Sequence, residues 1–185
     1  RLINGLVRRL GLGTVSPTPE SVAIAREARS NPFLGGTMLS IEVSTFIDRP
    51  REDVAAYLSN IANGAEWQSN VVESVKTSDG EVGVGTTGRE VRLFLGRPFE
   101  SEWEITGYDL SGDIWTVSVD IVSGPIKGHG EDTLESLNGG TRFTRSFAAE
   151  PKGLMALAGP MFERVARSQG EVDLANLKRI LEFGK

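Results

Sequence analysis

Residues 99–105, Phe99-Glu100-Ser101-Glu102-Trp103-Glu104-Ile105, put Phe99, Trp103 and Ile105 on one side of an alternation and Glu100, Glu102 and Glu104 on the other. Successive side chains of a strand point to opposite faces, so this segment reads as a half-buried strand with a solvated carboxylate face. That wet face calls for no catalytic acid. The same period governs the neighbours: Trp115, Val117, Val119 and Ile121 oppose Thr116, Ser118 and Asp120, and Leu39, Ile41 and Val43 recur in residues 39–47. Strands are expected over 39–47, 71–77, 86–95, 99–108, 114–122, 127–137 and 141–149. Turn chemistry separates them at Ser78-Asp79-Gly80, Gly96-Arg97-Pro98, Ser111-Gly112, Ser123-Gly124-Pro125 and Asn138-Gly139-Gly140.

After the first strand, Pro50 sits where the first turn of a helix tolerates proline, and Val54, Tyr57, Leu58 and Ile61 follow at helical spacing. A second short turn around Ala65–Ser69 carries Trp67. Beyond Pro151 the helical period returns as a stripe of Leu154, Leu157, Met161, Val165, Val172, Leu177 and Leu181, opposed by Arg164, Arg167, Glu171, Lys178 and Arg179. Gly159-Pro160 marks a kink or the true start of this helix. The fold class is therefore α+β, a curved seven-stranded antiparallel sheet with two short helices after the first strand. One sheet face is wet, so the other must be covered. Only the helix over residues 152–183 is long enough to do it, with Leu157, Met161 and Val165 against the concave face.

The chain has 185 residues, 39% hydrophobic and 24% charged, an ordinary globular balance. No apolar run approaches the roughly 18–20 residues of a membrane span. Cysteine is absent, which removes disulfides, thiol nucleophiles and thiolate zinc sites, and a cytoplasmic location fits that usage. Residues 1–38 hold five arginines against Glu20 and Glu27, a net +3, whereas the remainder holds 15 Lys/Arg against 23 Asp/Glu, a net −8. An acidic main domain argues against nucleic acid as a partner. Leu2, Ile3, Leu6, Val7 and Leu10 beside Arg8 and Arg9 permit a short basic amphipathic helix, with a second helical stretch over residues 20–29 and a joint at Gly35-Gly36. Membrane attachment is one reading of that segment. An arm packed on its own domain or on a second subunit, or a vector-derived extension ahead of Met38, accounts for it with less. The division expected is an arm over 1–38 and a ligand-binding domain over 39–185, with a homodimer compatible with both.

The order of elements resembles the START-like (Bet v 1-like, SRPBCC) superfamily with its helix-grip fold, and within it the bacterial polyketide cyclase/dehydrase type. The residues that carry this are the Ile47-Asp48-Arg49-Pro50 step, Trp67, Gly83-Val84-Gly85-Thr86 leading a strand, the Gly139-Gly140-Thr141-Arg142 turn, and Leu174-Ala175-Asn176-Leu177-Lys178 with Glu182. They span about 39–183, and residues 1–38 lie outside. The resemblance implies a cavity between sheet and helix that binds lipids, polyketides or sterol-like compounds, with no cofactor. It leaves three functions open: a binding protein, a cyclase, aromatase or dehydratase that uses polar cavity residues, and an interaction domain that receives an apolar partner segment.

Three local motifs need weighing. Gly83-Val84-Gly85-Thr86-Thr87-Gly88 matches the dinucleotide fingerprint in letters, but Arg89–Leu95 continue as a strand and not as a helix whose N-terminus could receive a pyrophosphate. His129 is the only histidine, and strand alternation separates Glu131, on its own face, from Asp132, so no metal site is expected. Asp132 and Arg145 form the more informative pair. If Asn138-Gly139 is a two-residue hairpin loop, Leu134 opposes Phe143 and Asp132 opposes Arg145, on the face that Phe143 and Phe147 turn inward. An unpaired charge there would cost several kcal/mol, so the two neutralise each other, and Arg145 is also placed to meet a polar ligand group. The expected cavity residues are Val91, Leu93, Trp103, Trp115, Val117, Asp132, Phe143, Arg145 and Phe147 on the sheet, joined by Trp67 and by Leu157, Met161 and Val165 of the helix. A different turn at Gly96-Arg97-Pro98 sends Arg92 and Phe94 inward instead.

From the glycine segment, adding NAD, NADP or ATP should leave the melting temperature unchanged. Saturable stabilisation by any of the three, measured by thermal unfolding against nucleotide concentration, would overturn the strand assignment.

Overall fold

The computed structural model describes residues 39–94, 96–150 and 159–184. The arm expected over residues 1–38, and the helical positions Leu154 and Leu157, lie outside them. Strand β1 (Leu39–Ile47) leads into helix α1 (Arg51–Ser59), a 3-10 turn (Ile61–Asn63) and the single-turn helix α2 (Gly64–Trp67). Strands β2 (Val71–Lys76), β3 (Thr87–Phe94), β4 (Arg97–Asp109), β5 (Ile114–Ser123), β6 (Lys127–Leu137) and β7 (Gly140–Glu150) come next, and helix α3 (Gly159–Phe183) closes the chain. Pro50 caps α1 rather than entering it, while Glu52 and Asp53 place negative charge at its positive end.

All pairings are antiparallel, in the order β1-β7-β6-β5-β4-β3-β2. Among the described residues only the β1–β7 contact joins strands far apart in sequence. Asn138 (φ 51°) and Gly139 (φ 84°) form the two-residue hairpin turn, which needs positive φ at both positions. The turn sets Leu137 opposite Gly140, Leu134 opposite Phe143 and Asp132 opposite Arg145, as its chemistry predicts.

The dry core occupies one end of the concave face. Ile47, Val54, Leu134, Phe143, Leu174 and Leu177 pack there with Trp67, and Trp115 and Leu181 lie against them. Each large apolar side chain so buried stabilises the fold by about 1.5–3 kcal/mol. Here α3 departs from its expected stripe. Leu174, Leu177 and Ile180 face the sheet, whereas Met161 is 73% exposed, Val165 52% and Val172 49%. Continuing the inward line toward the N-terminus gives Asp173, Gly170, Gln169 and Ala166. These small and polar residues carry no apolar signal, and a Cβ on Gly170 would stand 3.1 Å from a Val43 methyl. Met161 and Val172 of the apolar stripe therefore turn away from the sheet, while Val165 stands half-exposed at the cavity. Among the described residues no helix is long and apolar enough to cross a membrane.

The end of α3 is fastened by charge. Arg49 donates from Nε and Nη2 to the carbonyls of Leu181 and Glu182, both at 2.9 Å, satisfying two of the acceptors that a helix terminus leaves free. Glu182 Oε1 accepts the Asp48 backbone N–H at 2.6 Å and Lys178 Nζ at 2.7 Å. The backbone bond first, and then Lys178, hold the Glu182 carboxyl below its ordinary value of 4.5. A carboxyl depressed on folding adds stability that is complete above its unfolded pKa and is lost as pH falls through the folded one. Glu182→Gln should therefore lower stability at neutral pH by about 1 kcal/mol. In urea unfolding, the gap between variant and parent should close as pH falls below about 4.5.

Candidate functional site

Register builds the site row by row across the concave face. Thr45, Phe143, Leu134 and Trp115 lie abreast on β1, β7, β6 and β5, and this row belongs to the dry core. The next row is Val43, Arg145, Asp132, Val117 and Tyr108, and the next Ile41, Phe147, Gly130, Val119 and Ile105. Beyond the core row the floor opens into a cavity of about 520 Å³, lined by the sheet, by the α2–β2 corner and by Val165, Ala166, Gln169, Gly170 and Asp173 of α3. That volume lies within the roughly 300–1,000 Å³ typical of small-molecule sites.

Apolar walls come from Ile41, Phe99, Trp103, Ile105, Val117, Val119, Ile121 and Phe147. Trp103 lies flat over its cross-strand partner Gly88, where an added Cβ would stand 2.0 Å from the ring. Only glycine admits the indole, so Gly88 of the apparent dinucleotide motif serves packing.

A polar cluster occupies the corner between the sheet and α2. Arg145 forks onto Asp132, with Nε to Oδ1 at 2.6 Å and Nη2 to Oδ2 at 2.5 Å, the planar geometry that makes such pairs strong. Its guanidinium carbon lies 4.5 Å from the centroid of the Trp67 ring, a cation–π contact. Arg92 donates to Glu90 Oε2 from Nε and Nη2 at 3.0 and 2.7 Å, and to Asn70 Oδ1 at 3.1 Å. Gln68 Oε1 joins the two pairs, accepting from Arg92 at 2.8 Å and from Arg145 at 3.3 Å. Opposite them, Asp173 Oδ1 accepts the Ser69 N–H and Oγ, both at 2.8 Å, and Gln169 Nε2 at 3.0 Å. Burial alone would lower the Arg145 pKa, but the charge and hydrogen bonds of Asp132, with weaker fields from Glu90 and Asp173, raise it above its ordinary value. Arg145 is a fixed cation here and no proton donor.

The structure gathers Trp67, Leu93, Trp103, Val117, Asp132, Arg145, Phe147 and Val165 around the cavity. Four of the expected residues stand elsewhere. Val91 pairs with Glu100 on the outer face, because the turn sets Phe94 opposite Arg97 and so turns Glu90, Arg92 and Phe94 inward. Phe143 is wholly buried, edge-on to Trp67 at 6.4 Å. Trp115 keeps its expected face but sits in the core row, 4.1 Å beneath the Arg51 guanidinium. Met161 is open to solvent, and Leu157 lies outside the described residues. The turn between β3 and β4 is thus the alternative one, which sends Arg92 and Phe94 inward, and strand alternation brings Glu90 with them. Gln68, Asn70 and Asp173 carry no periodic signal at all. His129 Nδ1 lies 2.6 Å from Asp120 with both side chains about half exposed, away from the cavity lining.

A family described as polyketide cyclase/dehydrase and lipid transport matches residues 38–182. Among solved structures the chain is similar to TTHA0849 from Thermus thermophilus, at 16% identity and TM-score 0.66 over 77% of this chain and 96% of that one. It is similar to the Zhui aromatase/cyclase from Streptomyces sp. R1128, at 14% and 0.64 over 80% and 98%. Ara h 8.0201 aligns at 15% and 0.53 over 78% and 99%. At such identities these likenesses establish the fold, a helix-grip sheet around a C-terminal helix. No curated protein sequence matches.

Arg145→Ala should destabilise the protein by about 2–3 kcal/mol, since Asp132 is left without its partner and cavity water solvates it only in part. The double change Asp132→Asn with Arg145→Leu should recover part of that loss. Chemical denaturation of the three proteins checks both statements, and a double variant weaker than Arg145→Ala would contradict them.

Proposed function

The chain belongs to the polyketide cyclase/dehydrase and lipid transport family of the START-like superfamily, and on that premise we propose that it binds a small apolar molecule in the cavity between sheet and helix. The observation that carries this reading is the cavity itself, about 520 Å³ with apolar walls and one hydrogen-bonding corner. Water against Ile105, Val119, Ile121 and Phe147 is poorly held, so an apolar body gains by displacing it. The corner around Arg145, Arg92 and Gln68 fixes which end of the guest lies there, because the guanidinium geometry is set by bonds within the protein.

One observation favours a second reading, a cyclase or dehydratase. Among the described residues five charged side chains converge on the cavity, namely Glu90, Arg92, Asp132, Arg145 and Asp173. Two of them are arginines, which polarise a carbonyl without exchanging protons; Glu90 and Asp132 accept their hydrogen bonds, and Asp173 accepts those of Ser69 and Gln169. Binding needs nothing further from these groups, whereas proton transfer would need one of them released.

The test uses the neutral fluorophore N-phenyl-1-naphthylamine. Its fluorescence should rise saturably, and Val119→Trp, which fills the cavity, should weaken its affinity at least tenfold while the circular dichroism spectrum is kept. Unchanged affinity would place the probe outside the cavity. Native mass spectrometry of protein from its own host should show a bound mass that organic extraction removes. A linear synthetic 1,3,5-triketone that displaces the probe should be recovered intact, and protein-dependent aldol closure of its chain with loss of one water would establish the enzymatic reading.

A further inference from the structure

Among the described residues, five charged groups line the cavity: two guanidiniums, Arg92 and Arg145, against three carboxylates, Glu90, Asp132 and Asp173. Each arginine is matched in place. Arg145 holds Asp132 with two bonds and Arg92 holds Glu90 with two. Asp173 meets neither arginine through a hydrogen bond and receives only neutral donors, the Ser69 backbone and hydroxyl and the Gln169 amide. The described lining thus carries a formal charge of −1, with no cation in excess among its residues.

An anion entering this space must leave water and find a counter-charge. To reach either guanidinium head-on it has to displace Asp132 or Glu90, and the displaced carboxylate then stands beside it. A neutral oxygen meets no such barrier. A guanidinium has five N–H donors. Arg145 commits three to Asp132 and Gln68, and Arg92 commits four to Glu90, Gln68 and Asn70, so both retain donors for a carbonyl or hydroxyl. A hydroxyl can in addition donate to the carboxylates.

Given cavity binding as proposed above, we infer that the guest is an apolar molecule with an uncharged oxygen function, a ketone, alcohol or ester, and that the paired arginines exclude carboxylate and phosphate head groups. The arrangement looks on inspection like an arginine anchor for acids, but Asp132 and Glu90 have taken the place an acid would fill. Asp132 is then a specificity-determining residue as well as a structural partner.

The experiment is competition against N-phenyl-1-naphthylamine by molecules of one chain length: decanol, methyl octyl ketone, decanoate and decylammonium, at neutral pH and below micelle formation. Decanol and the ketone should displace the probe at concentrations at least tenfold lower than decanoate does. Asp132→Asn, which keeps the shape and frees Arg145, should strengthen decanoate relative to decanol at least tenfold. Should that variant not fold, Asp173→Asn takes its place and should narrow the gap between decanol and decanoate by removing the excess negative charge. Decanoate equal to or tighter than decanol in the parent protein overturns the inference. So does decylammonium tighter than decanol, which would mean a cationic guest. If the probe binds and none of the four displaces it, or the probe does not bind, the cavity-binding proposal itself fails.

Discussion

A single helix is too narrow for the sheet it covers. Seven strands at about 4.8 Å spacing span roughly 29 Å, whereas a helix with its side chains is about 10 Å across. Curvature narrows the gap without closing it. The protein meets the constraint unevenly, filling one end of the concave face with the second half of α3 and helix α1 and leaving a cavity beside the first half, which touches the sheet at Gly170 and Val43. Leu174, Leu177 and Ile180 make the contact where it is dry. Asp173, Gln169 and Gly170 take the equivalent positions where it is open. The cavity and its polar corner are both consequences of that mismatch in width.

The row of Val43, Arg145, Asp132 and Val117 marks the boundary between the two regimes. A charge pair suits that position. Full burial would cost more than the pair returns, and full exposure would screen it to little. Beside cavity water on one side and Trp67 on the other, its fork geometry is held without being sealed. Because Gln68 accepts from Arg145 and from Arg92 alike, the α2–β2 corner, strand β3 and the β6–β7 hairpin share one hydrogen-bonded group. Asp173 then ties the same corner to α3 through Ser69. Sheet, corner and helix are thereby positioned against each other at the cavity and not only in the core.

The alternation of Phe99–Ile105 determined that β4 has one buried and one wet face, and the Asn138-Gly139 pair determined the β6–β7 register and with it the Asp132–Arg145 contact. Both are local: a strand's period and a turn's required φ angles act between residues near in sequence. The placement of β3 depended on whether Phe94 or a neighbour faces Arg97, an ambiguity of one residue that exchanges Val91 for Glu90 and Arg92. Close packing of Trp103 against Gly88 belongs to the arrangement with Phe94 opposite Arg97, and that contact is visible only once the strands are side by side.

The sequence by itself thus determined the class, the strand order along the chain, the covering helix and one charge pair. Tertiary structure alone decided which face of α3 turns inward, where core ends and cavity begins, and that Gln68, Asn70 and Asp173 meet around the two arginines. The physical reason is the same in each case. Hydrophobic periodicity reports where apolar surface leaves water for a packed core, and it falls silent where the inward face borders a cavity, since small and polar side chains are stable there and leave no period to read.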